Sequence, residues 1–333
     1  MKATVVIPTR DRAHLLRNCL EALSAQTLPS DQFEVVVVDN GSRDNTTEVA
    51  EAYASKLNVV YTYAERPGLH IGRHIGANLA RTNILIFGDD DIVPGSGWVQ
   101  AVTSAFQSPD VVMVGGNNYP LFQADPPEWL NHLWKRPVYK GRALGTLSLI
   151  DFGVGQFEID PSFIWGCNFS IRRNVLIEAG GFHPDAFPKN QLMYRGDGES
   201  AVSKWVRERS LRAVFDSRAS VQHFVAQERM TPEYFCSRYF AQGISDSYTD
   251  LRKGGGSLSL RNRARNVARR LWHVLKVARV GGSIFRGGPA MHLAEIERLA
   301  LKEYWCGYRK HQEEAKRDPA LFEWIMRDSY FSD

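Results

Sequence analysis

Apolar runs with no polar break constrain the fold of this chain more than any other feature of its sequence. Residues 35–38 are four consecutive valines, and residues 5–7 and 84–87 are similar apolar runs. A strand with one solvated face alternates apolar and polar residues, so these runs predict strands that are covered on both faces. After the first run, Leu16 and Leu20 lie one helical turn apart, which predicts that helices alternate with the strands. The pattern is typical of a doubly wound α/β fold with a mostly parallel sheet.

The same signals recur along the first half of the chain and change character after residue 116. We expect strands near 59–61, 83–87 and 111–114 and helices near 47–56, 71–80 and from residue 98 onward. Residues 117–161 hold few periodic runs and are predicted to form an irregular insertion that lines or covers a ligand crevice. Regular elements are expected again near 163–165, 168–171, 175–180, 200–208, 213–215, 220–224 and 232–251. A flexible joint at 254–257 then leads into a wholly helical C-terminal part.

Composition places the chain among globular proteins. Its 333 residues are 44% hydrophobic and 23% charged, enough for one large domain or a domain with an appendage. The four cysteines lie far apart without a Cys-x-x-Cys pair, so we expect neither a disulfide framework nor a zinc cluster. No run approaches the roughly 18 apolar residues of a membrane span, and the first apolar stretch is too short for a signal peptide. A reducing, cytoplasmic setting is therefore expected.

One segment departs from this ordinary composition. Residues 261–286 contain seven Arg, one Lys and no acidic residue, so they carry +8 while the whole chain carries +4. Apolar residues recur within the segment at helical spacing. The pattern predicts either a basic amphipathic helix on an anionic membrane surface or a tail helix that packs on the rest of the protein. Nucleic acid is not expected as a partner, because the segment lacks a recognised reading motif.

Acidic residues follow three of the predicted strands at the point where each strand ends. Asp11 follows the first strand, Asp39 the second, and the triplet Asp89, Asp90 and Asp91 the fourth. Carboxyl ends of parallel strands meet at one edge of a sheet, where such folds bind ligands. Crowded carboxylates raise one another's pKa unless they share a cation, so the triplet predicts a site for Mg²⁺ or Mn²⁺; a solvated acidic turn is the alternative. No Gly-x-Gly-x-x-Gly or Gly-x-x-x-x-Gly-Lys loop is present, so metal and side chains must hold any phosphate.

Seven motifs in a fixed order give the chain a recognisable identity. They are Val-Val-Ile-Pro-Thr-Arg-Asp-Arg (5–12), Val-Val-Asp-Asn-Gly-Ser-x-Asp-x-Thr (37–46), Gly-Arg-His-Ile-Gly-Ala (72–77), Gly-Asp-Asp-Asp (88–91), Gly-Cys-Asn-Phe-Ser-Ile-Arg-Arg (166–173), Gly-Gly-Phe (180–182) and Gly-Asp-Gly-Glu (196–199). From about residue 4 to 243 the chain resembles family 2 glycosyltransferases of the GT-A fold. The resemblance implies a Rossmann-like GT-A domain over 1–253, with a nucleotide-binding half (1–116) and an acceptor-binding half (117–253). Residues 254–333 would form a helical extension, basic and amphipathic at 261–286.

The resemblance also implies roles at the nucleotide. Asp39 is the residue that recognises uracil in the family, and Arg73 approaches the nucleotide. The segment that borders the nucleoside contains Pro8, Thr9 and Asp11. The family's usual Arg-Asn pair reads Arg73-His74 here, so His74 has no role by analogy.

Asp89, Asp91 and His223 are the implied metal ligands, and Asp90 is placed with the residues that bind the nucleotide-sugar. Asp89 and Asp91 match the residues that meet the ribose and the metal, with Asp91 the stronger ligand and Asp90 the member with the least defined role. His223 matches a histidine that completes metal coordination in many relatives; a core or surface histidine is the other interpretation.

The remaining implied residues serve the acceptor. Transfer requires a carboxylate that removes the proton of the attacking hydroxyl. Asp197 matches the family's general base and Glu199 is the second acid of the motif, a possible substitute because Gly196 replaces the usual preceding acid. Asp197 would otherwise cap the helix that begins near residue 200. Trp165, with Gly166 and Asn168 close behind it, is predicted to contact the acceptor; filling the core is the alternative for Trp165.

Together these residues predict a metal-dependent, inverting glycosyltransferase. Its donor would be a nucleotide-sugar, with UDP favoured, and its acceptor a hydroxyl of a glycan or a lipid-linked glycan. A divalent ion would neutralise the charge of the departing diphosphate. Two alternatives are a sugar-phosphate nucleotidyltransferase, which usually has a glycine-rich phosphate loop that is absent here, and a catalytically silent carbohydrate-binding protein. The expected location is the cytoplasm, with the basic segment allowing attachment to the inner face of the cell membrane.

Overall fold

The computed structural model describes residues 1–66, 68–254 and 289–331 of the chain. Its strands are β1 (Ala3–Thr9), β2 (Phe33–Asp39), β3 (Val59–Tyr63), β4 (Ile84–Gly88), β5 (Ile92–Pro94), β6 (Val111–Gly115), β7 (Asn118–Phe122), β8 (Pro137–Val138), β9 (Gly141–Leu144), β10 (Leu149–Asp151), β11 (Gln156–Glu158), β12 (Asn168–Arg172), β13 (Arg212–Asp216) and β14 (Val221–Val225). Its α-helices are α1 (Ala13–Ser24), α2 (Thr46–Ala52), α3 (Leu69–Leu79), α4 (Trp98–Ala105), α5 (Glu128–Trp134), α6 (Arg173–Glu178), α7 (Ser200–Glu208), α8 (Pro232–Lys253), α9 (Pro289–Arg317) and α10 (Pro319–Met326).

The predicted doubly wound sheet is confirmed. Within the described residues, eight strands pair in the order β11-β13-β6-β12-β4-β1-β2-β3. Strands β4, β1, β2 and β3 are mutually parallel, β13 is parallel to β6, and β12 runs antiparallel between β4 and β6. Every residue of β1, β2 and β6 is buried, as the unbroken apolar runs predict for strands covered on both faces.

Helices cover both faces of this sheet. Leu16, Leu20 and Leu23 of α1 pack in one core with the apolar side chains of α4. Ala77 of α3 packs in a second core with residues of α6 and α7. The apolar side of each helix therefore faces the sheet, as the helical spacing of its apolar residues predicts.

The expectation of an irregular insertion over 117–161 is wrong. This stretch contains five strands and one helix, and four of its strands join a second sheet of order β5-β14-β7-β10-β9-β8. Its strands are two to five residues long, too short for a period-two pattern to stand out from the sequence. Tertiary contacts hold them instead: the side-chain oxygen of Asn117 accepts the backbone N–H of Phe152 at 2.7 Å.

The second sheet positions the acidic triplet. Asp89, Asp90 and Asp91 form the short connection between β4 of the first sheet and β5 of the second. Strand β14 pairs antiparallel with β5 in a register that sets His223 opposite Ile92. The connection between the two sheets therefore places the carboxylates next to the histidine of β14.

The C-terminal part is helical where it is described. Helix α9 packs tightly along α8: a Cβ on Gly243 would lie 2.0 Å from the carbonyl oxygen of Tyr304, and one on Gly307 would lie 2.1 Å from that of Phe240. Both glycines are therefore required for this close approach. The basic segment 261–286 and most of the expected joint at 254–257 fall in residues 255–288, which lie outside the described residues. No helix in the described ranges is both long enough and apolar enough to cross a membrane.

Candidate active site

The end of β2 presents a buried carboxylate. Asp39 accepts the backbone N–H of Ser42 at 2.7 Å and the hydroxyl of Tyr61 at 2.9 Å. Gly41 follows with a φ of 86°, a conformation that suits glycine. The carboxylate thus stabilises a tight turn, and each of its oxygens retains a second lone pair for a ligand.

The end of β1 and the residues that follow it contact the acidic triplet and the end of β2. Pro8 pairs with Val38 in the sheet, and the hydroxyl of Thr9 donates to Asp90 at 2.8 Å. Asp11 is exposed and accepts the backbone N–H of Arg43 at 2.7 Å. The first and second strand ends are therefore tied together around the predicted nucleoside position.

Asp90, whose role the sequence leaves open, is a structural member of the triplet. It lies almost fully buried and accepts from Thr9 and from Arg12, whose Nη1 is 3.1 Å from its Oδ1. Burial, together with the charge of Asp91, raises the pKa of Asp90 to about 7 against the effect of Arg12. Asp90 thus links the ends of β1 and β4, and sequence reasoning missed its partner Arg12, whose only signal is its place in the first motif.

Asp91 and His223 face each other across a short gap. The Nε2 of His223 lies 3.3 Å from the Oδ1 of Asp91, and both side chains are buried. The Nδ1 of His223 is 2.9 Å from the backbone carbonyl of Leu147, which can only accept, so Nδ1 carries the hydrogen. The Nε2 of His223 therefore faces the Oδ1 of Asp91, a buried oxygen that accepts no other hydrogen bond from the described residues. A proton or a cation must lie between these two atoms.

The pair has the chemistry of a divalent metal site. A metal-binding histidine usually donates its second ring N–H to a carbonyl, as His223 does to Leu147. Ligand atoms about 2.1 Å from an octahedral ion stand about 3 Å apart, close to the separation found here. Arg12 and Arg229 lie 3.4 and 3.5 Å from the other oxygen of Asp91. Burial opposes ionisation of Asp91, but His223 and the two arginines outweigh it and hold the pKa of its carboxyl below the ordinary value.

The third predicted ligand is oriented differently. Asp89 pairs with Arg73, whose Nη2 lies 3.0 Å from its Oδ1. In the described part of the chain, no group of three or more His, Cys, Asp or Glu side chains is arranged to hold a metal ion. Asp91 and His223 therefore supply two ligands, and phosphate oxygens and water would have to supply the others, as is common for Mg²⁺.

Arg73 connects the triplet to the second acidic motif. Its side chain is only 2% exposed, and its Nη1 lies 3.8 Å from the carboxylate of Glu199 while Nη2 holds Asp89. Gly166 allows this position, because a Cβ there would lie 2.4 Å from Nη2. The neighbouring His74 accepts the backbone N–H of Phe182 at 2.8 Å and is buried, which gives it a packing role.

The two acids of the Gly-Asp-Gly-Glu motif have contrasting surroundings. Both line a cleft of 440 Å³. Asp197 accepts at both oxygens, from His183 at 2.6 Å and from Thr249 at 2.7 Å. Burial opposes its ionisation, but His183 and Thr249 lower the pKa of the carboxyl. Glu199 accepts only the backbone N–H of Gly166 at 3.1 Å, and its side chain is 23% exposed against 13% for Asp197.

The side chain of Asp197 does not cap α7, which was the alternative to a role as general base. Helix α7 begins at Ser200 after Glu199, and no side chain caps it. Asp197 contributes only its backbone carbonyl to the start of the helix, through Ser200 N–H at 3.0 Å. Its side chain belongs to the cleft. His183 and Thr249 were missed from the sequence; His183 directly follows the Gly-Gly-Phe motif, which was the available signal.

The predicted acceptor residues separate in the structure. Trp165 lines the cleft, half-buried, with its indole N–H donated to the Ser162 carbonyl at 2.9 Å. Gly166 makes room for Arg73. Asn168 is 1% exposed and holds the core together, accepting the indole N–H of Trp98 at 2.9 Å and donating to the Ala219 carbonyl at 2.9 Å. Of the three, Trp165 is the one that borders the cleft.

Comparison with known proteins defines the class. A mannosyltransferase from Pyrobaculum calidifontis, solved in complex with GDP-Man and Mn²⁺, superimposes with a TM-score of 0.58 at 16% identity, covering 95% of this chain and 88% of that one. The likeness confirms the GT-A fold. The family description "Glycosyl transferase family 2" matches residues 4–180, and the chain belongs to that family, as its motifs predict.

Two relatives extend the comparison by sequence. Validoxylamine A glucosyltransferase of Streptomyces hygroscopicus subsp. jinggangensis is 31% identical over 198 residues, which cover 55% of this chain and 47% of that protein. The match thus spans about half the length of that relative. Glucosyl-dolichyl phosphate glucuronosyltransferase of Haloferax volcanii is 24% identical over 255 residues, covering 75% of this chain and 78% of that protein.

Proposed function

We propose that this protein is a metal-dependent, inverting glycosyltransferase that moves a sugar from a nucleotide-sugar, favouring UDP, to a hydroxyl of a glycan or lipid-linked acceptor. The observation that carries the proposal is the pair Asp91 and His223, whose facing Oδ1 and Nε2 atoms lie 3.3 Å apart beyond the carboxyl end of β4, a separation that a divalent ion can bridge. Mn²⁺ or Mg²⁺ held there would neutralise the charge that develops on the leaving diphosphate. A protein of the same fold was solved in complex with GDP-Man and Mn²⁺, which supports the use of a divalent ion with a nucleotide-sugar.

The nucleoside would lie along the strand ends that precede the triplet. Asp39 is proposed to recognise the uracil ring through its spare lone pairs, with Pro8, Thr9 and Asp11 beside the nucleoside. Asp89 would meet the ribose, since Arg73 fixes its carboxylate at 3.0 Å and leaves the side chain 26% exposed. Asp90 would position this edge through its contacts with Thr9 and Arg12. These residues all belong to the proposed nucleotide-binding half, 1–116.

The acceptor would bind in the 440 Å³ cleft. All the residues that line this cleft come from Gly145 to Lys253, which supports an acceptor-binding half over 117–253. The names of two relatives support a hydroxyl of a glycan or of a lipid-linked sugar as the acceptor. The Streptomyces protein is a validoxylamine A glucosyltransferase, and the Haloferax protein is a glucosyl-dolichyl phosphate glucuronosyltransferase.

We propose Glu199 as the general base, in preference to Asp197. Glu199 accepts a single hydrogen bond, faces the cleft and stays within 3.8 Å of Arg73, which also holds Asp89 on the donor side. Asp197 accepts at both oxygens, and its lowered pKa makes it a weaker base. Asp197 would instead hold His183 and Thr249 at the acceptor end of the cleft.

The experiment that tests the proposal is a hydrolysis screen of UDP-, GDP- and TDP-sugars with the full chain, with Mn²⁺ and with a chelator. We expect a UDP-sugar to be hydrolysed with Mn²⁺ and the activity to disappear in Asp91→Asn. Asp110→Asn is the matched control, because Asp110 is a solvent-facing aspartate paired with Arg212 far from the triplet. Hydrolysis that survives the chelator, or a preference for GDP- or TDP-sugars, would contradict the metal or the uracil assignment respectively.

A further inference from the structure

A second cavity adjoins the cleft and belongs to no step of the proposed reaction. It measures 590 Å³ and lies where α5, β9, α8 and α9 meet. Gly145, Arg238, Gln242 and Asp246 line both the cavity and the cleft, so the two spaces share a wall. The volume falls in the range of small-molecule sites.

Much of the cavity wall is apolar. Leucine, valine and alanine side chains from four elements face it, namely Leu133, Val138, Ala143, Leu144 and Leu301. Two charged groups of the wall, Arg136 and Glu297, already pair with each other. The guanidinium of Arg136 donates one hydrogen bond to each carboxylate oxygen of Glu297, and one of these bonds is 3.1 Å long. Asp246 accepts from Tyr304 at 2.6 Å and from Gln242 at 2.9 Å. An alkyl chain therefore matches most of this surface.

Arg238 lies in the shared wall, and among the described residues it has no ion-pair partner. No carboxylate of the described residues lies within 4 Å of it, and its Nε is enclosed without a hydrogen-bond acceptor. The nearby arginines are satisfied: Arg195 holds Asp185 at 2.8 Å and Arg229 lies 3.5 Å from Asp91. Burial and the charge of Arg195 lower the pKa of Arg238 and outweigh the opposing effects of Tyr234 and Asp185, so an anion beside Arg238 would stabilise its positive charge.

We propose that Arg238 binds an anionic group of the acceptor and that the 590 Å³ cavity holds an apolar chain attached to that group. The acceptor class is then a sugar on the phosphate of a lipid alcohol, with the sugar hydroxyl in the cleft, the phosphate at the shared wall and the chain beyond it. A planar guanidinium with unused donors suits phosphate oxygens, and apolar walls suit the chain. This inference rests on the proposed function and adds the chemistry of its acceptor.

Calorimetry with octyl phosphate, octanol and inorganic phosphate tests the proposal on the full chain. We expect octyl phosphate to bind more tightly than either of the other two, because it alone satisfies both the arginine and the apolar wall. Arg238→Gln should weaken octyl phosphate by about ten-fold or more, the loss typical of a charge-assisted hydrogen bond, and leave octanol unchanged. Leu301→Trp, which fills the cavity, should weaken octyl phosphate and octanol and leave inorganic phosphate unchanged.

Matched controls separate these effects from damage to the fold. Arg212→Gln removes an arginine that lines neither space, and Leu299→Trp adds the same bulk to a 36% exposed position of α9. Neither should alter octyl phosphate binding. UDP binding is measured in every variant to show that the fold and the donor site are intact. Arg238→Lys should recover part of the affinity for octyl phosphate that Arg238→Gln loses.

Three results would overturn the proposal. If octyl phosphate binds no better than inorganic phosphate, the cavity does not hold an apolar chain. If Arg238→Gln weakens the binding of UDP as much as that of octyl phosphate, the arginine binds the diphosphate of the donor. Absence of octyl phosphate binding while UDP still binds would refute the acceptor class alone, whereas absence of UDP binding would refute the proposed function itself.

Discussion

The contact between Gly166 and Arg73 gives the sharpest structural prediction. In Gly166→Ala the new methyl carbon would lie 2.4 Å from Nη2, 2.7 Å from Nη1 and 2.9 Å from Cζ of Arg73. The guanidinium must retreat by about 1 Å to reach ordinary contact, because carbon and nitrogen atoms do not approach within about 3.4 Å without strain. Arg73 is 2% exposed, so it has no path into solvent.

The retreat breaks the 3.0 Å pair with Asp89 and lengthens the 3.8 Å contact with Glu199. A buried charge that loses its partner costs about 3 kcal/mol, the lower end of the range for broken buried pairs, since Asp89 is partly solvated. We expect urea unfolding of Gly166→Ala to show a free energy of unfolding about 3 kcal/mol below wild type. The donor site should also lose affinity for UDP, because Arg73 fixes the carboxylate proposed to meet the ribose.

Gly97→Ala is the matched control. A Cβ at Gly97 would meet nothing within 4 Å, and its φ of −95° is open to alanine. We expect the control to change the unfolding free energy by less than about 1 kcal/mol. A Gly166→Ala protein as stable as Gly97→Ala would show that Arg73 moves freely and would refute the tight coupling of Asp89, Arg73 and Glu199.

Two further predictions concern the acids of the cleft. Glu199→Gln should lower the transfer rate by about 10²- to 10⁴-fold at unchanged UDP affinity, and Asp197→Asn by much less; the reverse order in steady-state kinetics would return the base to Asp197. His183 and Thr249 lower the pKa of folded Asp197, although burial opposes this, so its carboxylate stabilises the fold above the unfolded value of about 4. That contribution is lost as the pH falls through the folded pKa, and urea titrations should show a steeper loss of stability below pH 4 for wild type than for Asp197→Asn. Parallel curves would mean that the pair with His183 adds no stability.

The large sheet could be predicted from the sequence because its central strands are unbroken apolar runs. Residues 35–38 are four valines, and every residue of the strand they form is buried. The second sheet was missed because its strands are short and one, β7, contains Pro120 in its middle. Its stability comes from pairing between segments far apart in the chain, as where β14 pairs with β5 and β7. Local patterns carry no information on such pairing.

In the candidate site, too, the sequence identifies individual residues but not the contacts between them. The motifs identify Asp91 and His223 separately, but only the register of β14 against β5 brings them to 3.3 Å. The two acids at 197 and 199 are equivalent in a motif and differ in the fold, because the partners of Asp197 come from residues 183 and 249. Asn168 lies in a motif but serves the core, since its amide meets Trp98 and Ala219. Side-chain partners of this kind are set by packing.

The central claim is that Asp91 and His223 hold a divalent ion that assists nucleotide binding. Calorimetric titration of UDP with and without Mn²⁺ tests it most directly, with His223→Gln as the perturbation and His132→Gln, an exposed histidine on α5, as the control. We predict that Mn²⁺ strengthens UDP binding by at least about ten-fold in wild type and in the control, and far less in His223→Gln. UDP affinity that is the same in Mn²⁺ and in a chelator would contradict the claim.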